Sequence, residues 1–167
     1  MIEVHVAAVR EEDKPIVLVM AEETGCVASD VYNTIEQMVT IAGGLTCVPQ
    51  EISEGTDIVN VGLETIFTWN PDYLFLQSVY GELSAEEILS TPSWQALNSV
   101  SAGNVYTIPC AFDTWSSASP SSVLGALYMS VKMYPDYYSD VDFELIAIDF
   151  YHDVYNLDVT VEMLGLS

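Results

Sequence analysis

Two stretches of this chain, Ile16–Met20 and Tyr73–Leu76, carry apolar side chains throughout. Strands buried on both faces of a parallel sheet have this pattern, whereas half-exposed strands alternate polar and apolar positions. Two shorter and mostly apolar segments, 45–48 and 105–108, predict two further strands. The pattern therefore predicts a mostly parallel central sheet of about four strands.

Segments with helical periodicity separate these strands. A helix with its apolar face at Leu63, Ile66 and Phe67 precedes the second long strand. Asn60 is expected to cap this helix, and Pro71 ends it because the residue before a proline is disfavoured in helical angles. Further helices are predicted at 31–42, from a capping box at 84–87, after residues 119–120, and over Phe143–Tyr155. Alternating strands and helices indicate one α/β domain, a three-layer sandwich.

Ligands of open α/β sheets bind at the loops that follow the carboxyl ends of the strands. The corresponding loops here are 21–29, 77–83 and 109–118. Trp115 lies in a polar loop at this edge and is expected to contact a flat or apolar ligand. The side chains expected at the ligand-facing edge are Glu22, Glu23, Cys26, Tyr80, Asp113, Thr114 and Trp115.

The composition excludes several classes of function. Lysine and arginine number only 3 against 25 aspartates and glutamates, a net charge of −22. Such a surface repels phosphate backbones, so nucleic-acid binding is excluded, and an anionic membrane would be repelled equally. The 3 cysteines are widely spaced and form no CxxC motif, although one disulfide bridge is possible. No signal peptide or membrane-spanning segment is recognisable.

No enzyme motif occurs in the sequence. The patterns GxSxG, HExxH and GxxxxGK[ST] are all absent, and no metal site or cofactor is expected. His5 and His152 are interpreted as surface or helix-packing residues. The numerous carboxylates are typical of a solvated acidic face rather than of an acid–base pair.

Six motifs in a fixed order nevertheless resemble one known family. They are KPIVL, a helix ending in AGG, VGLETIFTWNPD, PSWQAL, GNVYTIP, and W-x-x-x-S-P-x-x-x-L-G, which begins at Trp115. Together they resemble the C-terminal lobe of class III periplasmic solute-binding proteins, which deliver ferric siderophores, haem or cobalamin to ABC importers. The resemblance covers residues 12–160.

The resemblance implies a second lobe outside this chain and an extracytoplasmic location, either periplasmic or as a cell-surface lipoprotein. Residues 1–14 resemble the end of the helix that joins the two lobes, and 15–167 would form the C-terminal lobe. Membrane attachment would occur only through an N-terminal anchor that this chain lacks. In the family an exposed glutamate of each lobe docks on arginines of the ABC transporter permease, and the matching position here is Glu64. The chain is therefore expected to bind ligand without performing chemistry.

The expected ligand is an iron chelate, haem or a corrinoid. Many members grip anionic siderophores with arginines, but Arg10, Lys14 and Lys132 all lie away from the predicted cleft. Hydroxamate complexes, haem or a corrinoid held by Trp115 and Tyr80 are therefore favoured. Two alternatives remain open: a stand-alone α/β interaction module, and the lobe of a chelatase-like enzyme that uses Glu22, Glu23 and Asp113.

Overall fold

A computed structural model describes residues 2–21, 26–28, 34–49, 58–77 and 84–166. Within these ranges six strands form one sheet in the order β4-β2-β1-β5-β6, and β3 also pairs with β1. The strands are β1 Ile16–Met20, β2 Cys26–Ala28, β3 Leu45–Thr46, β4 Ile58–Asn60, β5 Tyr73–Leu76 and β6 Val105–Thr107.

Four strands of this sheet are parallel neighbours. Val17 of β1 lies opposite Thr46 of β3 and Tyr73 of β5, and Leu74 of β5 lies opposite Val105 of β6. This confirms the predicted sheet of about four parallel strands. The pair β2 and β4 was not predicted; β2 runs antiparallel to both β1 and β4. Their three-residue length is too short to show a hydrophobic period.

Helices cover the two faces of the sheet. The α-helices in the described residues are α1 Ile2–Val6, α2 Thr34–Ile41, α3 Leu63–Trp69, α4 Ala85–Ser90, α5 Asn98–Ser101, α6 Ser122–Met133 and α7 Phe143–Tyr155. Short 3-10 helices lie at Glu11–Asp13, Pro92–Trp94 and Pro135–Tyr138. No helix in the described part of the chain has both the length and the apolarity needed to cross a membrane.

Alternation along the central strands divides the core into two halves. Val19 and Phe75 pack with buried residues of α2, α6 and α7. Leu18 and Leu74, which point to the opposite face, pack with residues of α3, α4 and α5 and with Trp94. Because successive residues of a strand point to opposite faces, one apolar run supplies both halves of the core. The three-layer sandwich is thereby confirmed.

Local sequence accounts for several helix ends. Asn70 ends α3 in the left-handed conformation, with its N–H bonded to the carbonyl of Ile66, and Pro71 follows. The predicted cap at the other end of α3 is wrong, because Gly62 occupies the N-cap position and Asn60 belongs to β4. The predicted N-terminal cap of α4 is present, since the hydroxyl of Ser84 accepts a hydrogen bond of 3.1 Å from the backbone N–H of Glu87. The same hydroxyl also lies 3.1 Å from the carboxylate of Glu87.

Candidate functional site

The parallel strands β1, β5 and β6 end at one edge of the sheet. The backbone N–H of Gln77 donates to Met20 across this edge, and that of Ile108 donates to Leu76, each over 2.8 Å. The polypeptide that follows β6 and leads into α6, residues 109–121, is called the edge loop below. It is the part of the predicted ligand-facing surface that the structure describes most fully.

The carboxylate of Asp113 anchors the edge loop. Its Oδ1 accepts a hydrogen bond of 2.5 Å from the hydroxyl of Tyr151, and its Oδ2 accepts one of 3.2 Å from Tyr155. The hydroxyl of Ser121, at the N-cap position of α6, also donates to Oδ2. Three hydroxyl donors from two helix ends therefore converge on one half-buried carboxylate. A carboxylate this close to the start of a helix also interacts favourably with the helix dipole.

Both tyrosines remain protonated donors in neutral solution. Burial, followed by the hydrogen bond to Asp113, raises the pKa of Tyr151 well above its ordinary value. The pKa of Tyr155 is also raised, first by desolvation and then by the negative charge of Asp113. Proximity to a carboxylate disfavours a second anion, so the tyrosines donate to Asp113 rather than compete with it.

Trp115 lies in the core, which corrects the expectation that its ring meets a ligand. The side chain is 0% exposed, and its Nε1 donates a hydrogen bond of 2.8 Å to the hydroxyl of Tyr151. Its ring also meets Phe143 edge-on at 6.0 Å. The polar loop sequence suggested an exposed ring, but α7 covers it. Trp115 therefore stabilises the edge loop from within the core, through its hydrogen bond to Tyr151.

The exposed aromatic ring of the edge loop belongs to Phe112. Cys110 and Thr114 form an isolated antiparallel bridge, so residues 111–113 make the tip of a tight turn. The side chain of Phe112 is 49% exposed, and its ring centroid lies 5.7 Å from that of Tyr151. From the sequence, the family resemblance placed Phe112 in a loop expected to line the ligand cleft, but Phe112 was not among the side chains expected to bind the ligand. The available signal was an apolar residue at the centre of a polar loop.

Sequence reasoning also missed the anchors of Asp113. Tyr151 and Tyr155 are four residues apart on α7, and the pattern assigned both to its apolar face. Their hydroxyl groups could have indicated a second role, because a buried tyrosine hydroxyl usually has a hydrogen-bond partner. The identity of that partner could not be predicted, because Tyr151 and Asp113 are 38 positions apart in the sequence.

The lysine and arginine side chains all lie away from the edge loop. Arg10 and Lys14 precede β1 and form ion pairs with carboxylates of the 3-10 helix Glu11–Asp13. Lys132 lies in the last turn of α6, with its Nζ 5.2 Å from the ring centroid of Tyr106 and 5.3 Å from that of Tyr128. A helix of 12 residues spans roughly 18 Å, which separates Lys132 from the edge loop.

Glu64 is exposed in the first turn of α3. The strand before it, β4, runs in the same direction as β1, because each is antiparallel to β2. The start of α3 therefore lies at the same edge of the sheet as the edge loop. Leu63 beside Glu64 is 37% exposed, so an apolar side chain accompanies the carboxylate on this surface.

The remaining predicted residues are described only in part. Glu22, Glu23 and Tyr80 lie outside the described residues. Cys26 begins β2 next to the end of β1. Of the predicted edge residues, the structure thus brings together Asp113, Thr114 and Trp115. Among the described residues there is no group of three or more His, Cys, Asp or Glu side chains that could hold a metal ion.

Comparison with known proteins extends this picture. The molybdate-binding protein MolA of Haemophilus influenzae is 26% identical over 96 residues, which are 57% of this chain and 27% of that protein. Its molybdate-bound structure superposes on 95% of this chain with a TM-score of 0.78 and 19% identity, using 47% of its own length.

Two further solved structures show the same fold. An ABC transporter solute-binding protein from Sulfurospirillum deleyianum matches 98% of this chain and 50% of its own, with a TM-score of 0.81 and 20% identity. The Helicobacter pylori protein CeuE with Ni(II) bound matches 98% of this chain and 50% of its own, with a TM-score of 0.77 and 19% identity. The chain thus spans about half the length of these structures.

A family model described as periplasmic binding protein matches residues 3–111. This match covers more than half of the chain and confirms the resemblance found in the sequence. Since that family consists of solute-binding proteins rather than enzymes, the chelatase-like alternative has no support from it. The chain belongs to the periplasmic binding protein family.

Proposed function

We propose that this chain is the C-terminal lobe of the solute-binding component of an ABC importer. In this proposal residues 15–167 form the lobe and 1–14 the end of the helix that joins it to a first lobe. The observation that supports it best is that this chain superposes on about half of each related structure. Within that half it forms a complete hydrophobic core on both faces of its own sheet. The ligand would lie between the edge loop and the other lobe, outside the cytoplasm.

The ligand that fits this lobe is a ferric hydroxamate complex, haem or a corrinoid. No lysine or arginine lies at the edge loop, so this lobe supplies no ion pair to an anionic chelate. Phe112 instead offers an exposed aromatic ring that packs against the buried Tyr151, and such a ring suits contact with a flat or apolar ligand. Molybdate, bound by one relative, is an anion, and Ni(II), bound by another, is a cation. Similarity to these relatives therefore does not identify the ligand of this chain.

Several neighbouring residues would complete the ligand site. Thr114 lies in the edge loop beside Phe112, and Cys26 begins the strand next to β1. Glu22 and Tyr80 belong to the loops that follow β1 and β5. Trp115 would act indirectly, by holding Tyr151 beneath the ring of Phe112.

Ligand titration of the two-lobe protein tests this assignment. Haem, a corrinoid and a ferric trihydroxamate would be followed by visible absorption and tryptophan fluorescence. We expect saturable binding of one of them and an affinity about tenfold lower in Phe112→Ala, since one aromatic contact is worth about 0.5–1.5 kcal/mol beyond its buried area. Leu145→Ala, which truncates a 52% exposed side chain near the start of α7, is the control. No binding of any of the three would contradict the ligand class.

Docking on a permease would use Glu64. Close charge pairs across protein interfaces couple by about 1.5–7 kcal/mol in favourable cases. We expect Glu64→Ala and Glu64→Arg to leave ligand affinity unchanged and to reduce cellular uptake, with the charge reversal more severe. Glu86→Ala removes another exposed first-turn carboxylate, on α4, and should leave uptake intact. Normal uptake by both Glu64 variants would remove Glu64 from the docking surface.

A further inference from the structure

The three hydroxyl groups around Asp113 are the kind of donors that bind an oxyanion. Tyr151, Tyr155 and Ser121 point their O–H groups at one place beside the start of α6. An oxyanion accepts several such bonds at once, and bonds to a charged acceptor are stronger than neutral ones. In this chain the charged acceptor is a covalent part of the protein. The carboxylate of Asp113 therefore occupies the position that a bound oxyanion would require.

No nearby cation offsets this charge. The sequence holds 3 lysines and arginines, and Arg10 and Lys14 are already paired with carboxylates before β1. Lys132 lies over two tyrosine rings in the last turn of α6. His152, on α7, has its Nδ1 3.1 Å from the carboxylate of Asp158. An anion that approached the edge loop would meet a fixed negative charge without a neighbouring lysine or arginine.

We propose that Asp113 is a specificity-determining residue that excludes oxyanions from this side of the ligand cleft. It does so by occupying the hydroxyl donors of Tyr151, Tyr155 and Ser121 and by repelling a second anion. Specific binding sites use repulsion of the wrong ligand as well as attraction of the right one. The inference rests on the proposed function and narrows its cargo to chelates that present no anionic group to the edge loop. A ferric hydroxamate complex or a corrinoid meets this condition, and haem meets it only with its propionate groups turned toward the other lobe. The oxyanion cargo of the Haemophilus influenzae relative would be rejected.

Removing the carboxylate should create the anion site that it now fills. Sodium molybdate is titrated by calorimetry into the full-length wild-type protein and into its Asp113→Ala, Asp113→Asn and Asp136→Ala variants. We expect no saturable binding to the wild type and saturable binding to Asp113→Ala, at least tenfold tighter than the weakest affinity that the titration can detect. Asp113→Asn should show a smaller gain, because its amide keeps one oxygen acceptor in place. Asp136→Ala removes the same charge from an exposed position beyond the far end of α6 and should show no gain.

The outcomes separate this inference from the proposed function. Micromolar molybdate binding by the wild type, unchanged in Asp113→Ala, would overturn the exclusion role and leave an importer with an oxyanion cargo. Absence of any gain in either folded Asp113 variant, judged by cooperative melting, would also overturn it. If Asp113→Ala fails to fold, molybdate titrations of the wild type and of Asp113→Asn test the exclusion role instead. Failure of the importer function would instead appear as cellular uptake that does not depend on this protein, together with no binding of any of the three chelates.

Discussion

At the scale of single residues, the hydroxyl of Tyr151 connects the core to the edge loop. It accepts a hydrogen bond of 2.8 Å from Nε1 of Trp115 and donates one of 2.5 Å to Asp113. Tyr151 is 1% exposed and Trp115 is 0% exposed, so water cannot replace either partner. A buried donor that loses its acceptor costs its full desolvation free energy. This one oxygen atom therefore links the buried Trp115 to the carboxylate that anchors the edge loop.

Removing that oxygen should destabilise the protein measurably. Tyr151→Phe leaves the Trp115 N–H without its acceptor and takes one donor from Asp113, so we expect a loss of about 1–3 kcal/mol in the free energy of unfolding. Urea denaturation followed by circular dichroism measures it. Tyr137→Phe removes a hydroxyl from a 47% exposed side chain and should change stability by no more than about 0.5 kcal/mol. Equal effects of the two substitutions would show that the hydroxyl of Tyr151 does not support the loop.

At the scale of elements, the first turns of α6 lie directly against the edge loop. Gly125 makes this approach possible, because a Cβ atom there would collide with the backbone carbonyl of Trp115 and with the side chain of Met38. The methionine end is flexible, but the carbonyl belongs to the loop that carries Asp113 and cannot move independently of it. The closeness of helix and loop therefore depends on the absence of one methyl group.

Gly125→Ala tests this close approach. Alanine favours a helix over glycine by about 1 kcal/mol, so helix propensity alone predicts a gain in stability. The collision with backbone should outweigh it, and we expect a net loss of about 1–3 kcal/mol, read from thermal and urea unfolding. Gly62→Ala makes the same substitution where no atom lies within 4 Å and should have a smaller effect. A more stable Gly125→Ala protein would mean that the loop yields easily.

At the scale of the whole molecule, burial keeps several weak acids neutral. It raises the pKa of Tyr128, Tyr134 and Cys47 to about 12 each, with desolvation as the largest cause. In an unfolded chain the tyrosines ionise near pH 10 and the cysteine near 8.5, by general reference values. Between these limits the unfolded state binds fewer protons than the folded state. Stability must therefore fall as pH rises.

The pH window of this loss follows from the same pKa values. The stabilisation is fully present below about pH 8.5, where both states are protonated, and it is lost progressively as pH rises toward about 12. We expect the midpoint of thermal unfolding to decline steadily across that interval. Tyr128→Phe removes one of the groups and should make the decline shallower. A profile that stays flat to pH 11, or an unchanged slope in Tyr128→Phe, would contradict the burial of these groups.

Much of the fold could be predicted because its causes are local. The apolar runs of β1 and β5, the termination of α3 at Asn70-Pro71 and the capping of α4 by Ser84 each depend on residues within a few positions of one another. The antiparallel pair β2 and β4 could not be predicted, because each strand is three residues long and finds its partner across the sheet.

By itself the sequence determined the alternation of strands and helices, the resemblance to a family, and the scarcity of cations, because each is read from composition or from neighbouring residues. Only the tertiary structure decided which aromatic ring of the edge loop reaches solvent. Trp115 and Phe112 lie in the same polar stretch, yet α7 covers the first and leaves the second exposed. That outcome, like the capture of Asp113 by Tyr151 and Tyr155, depends on contacts about 40 residues apart, which no local pattern contains.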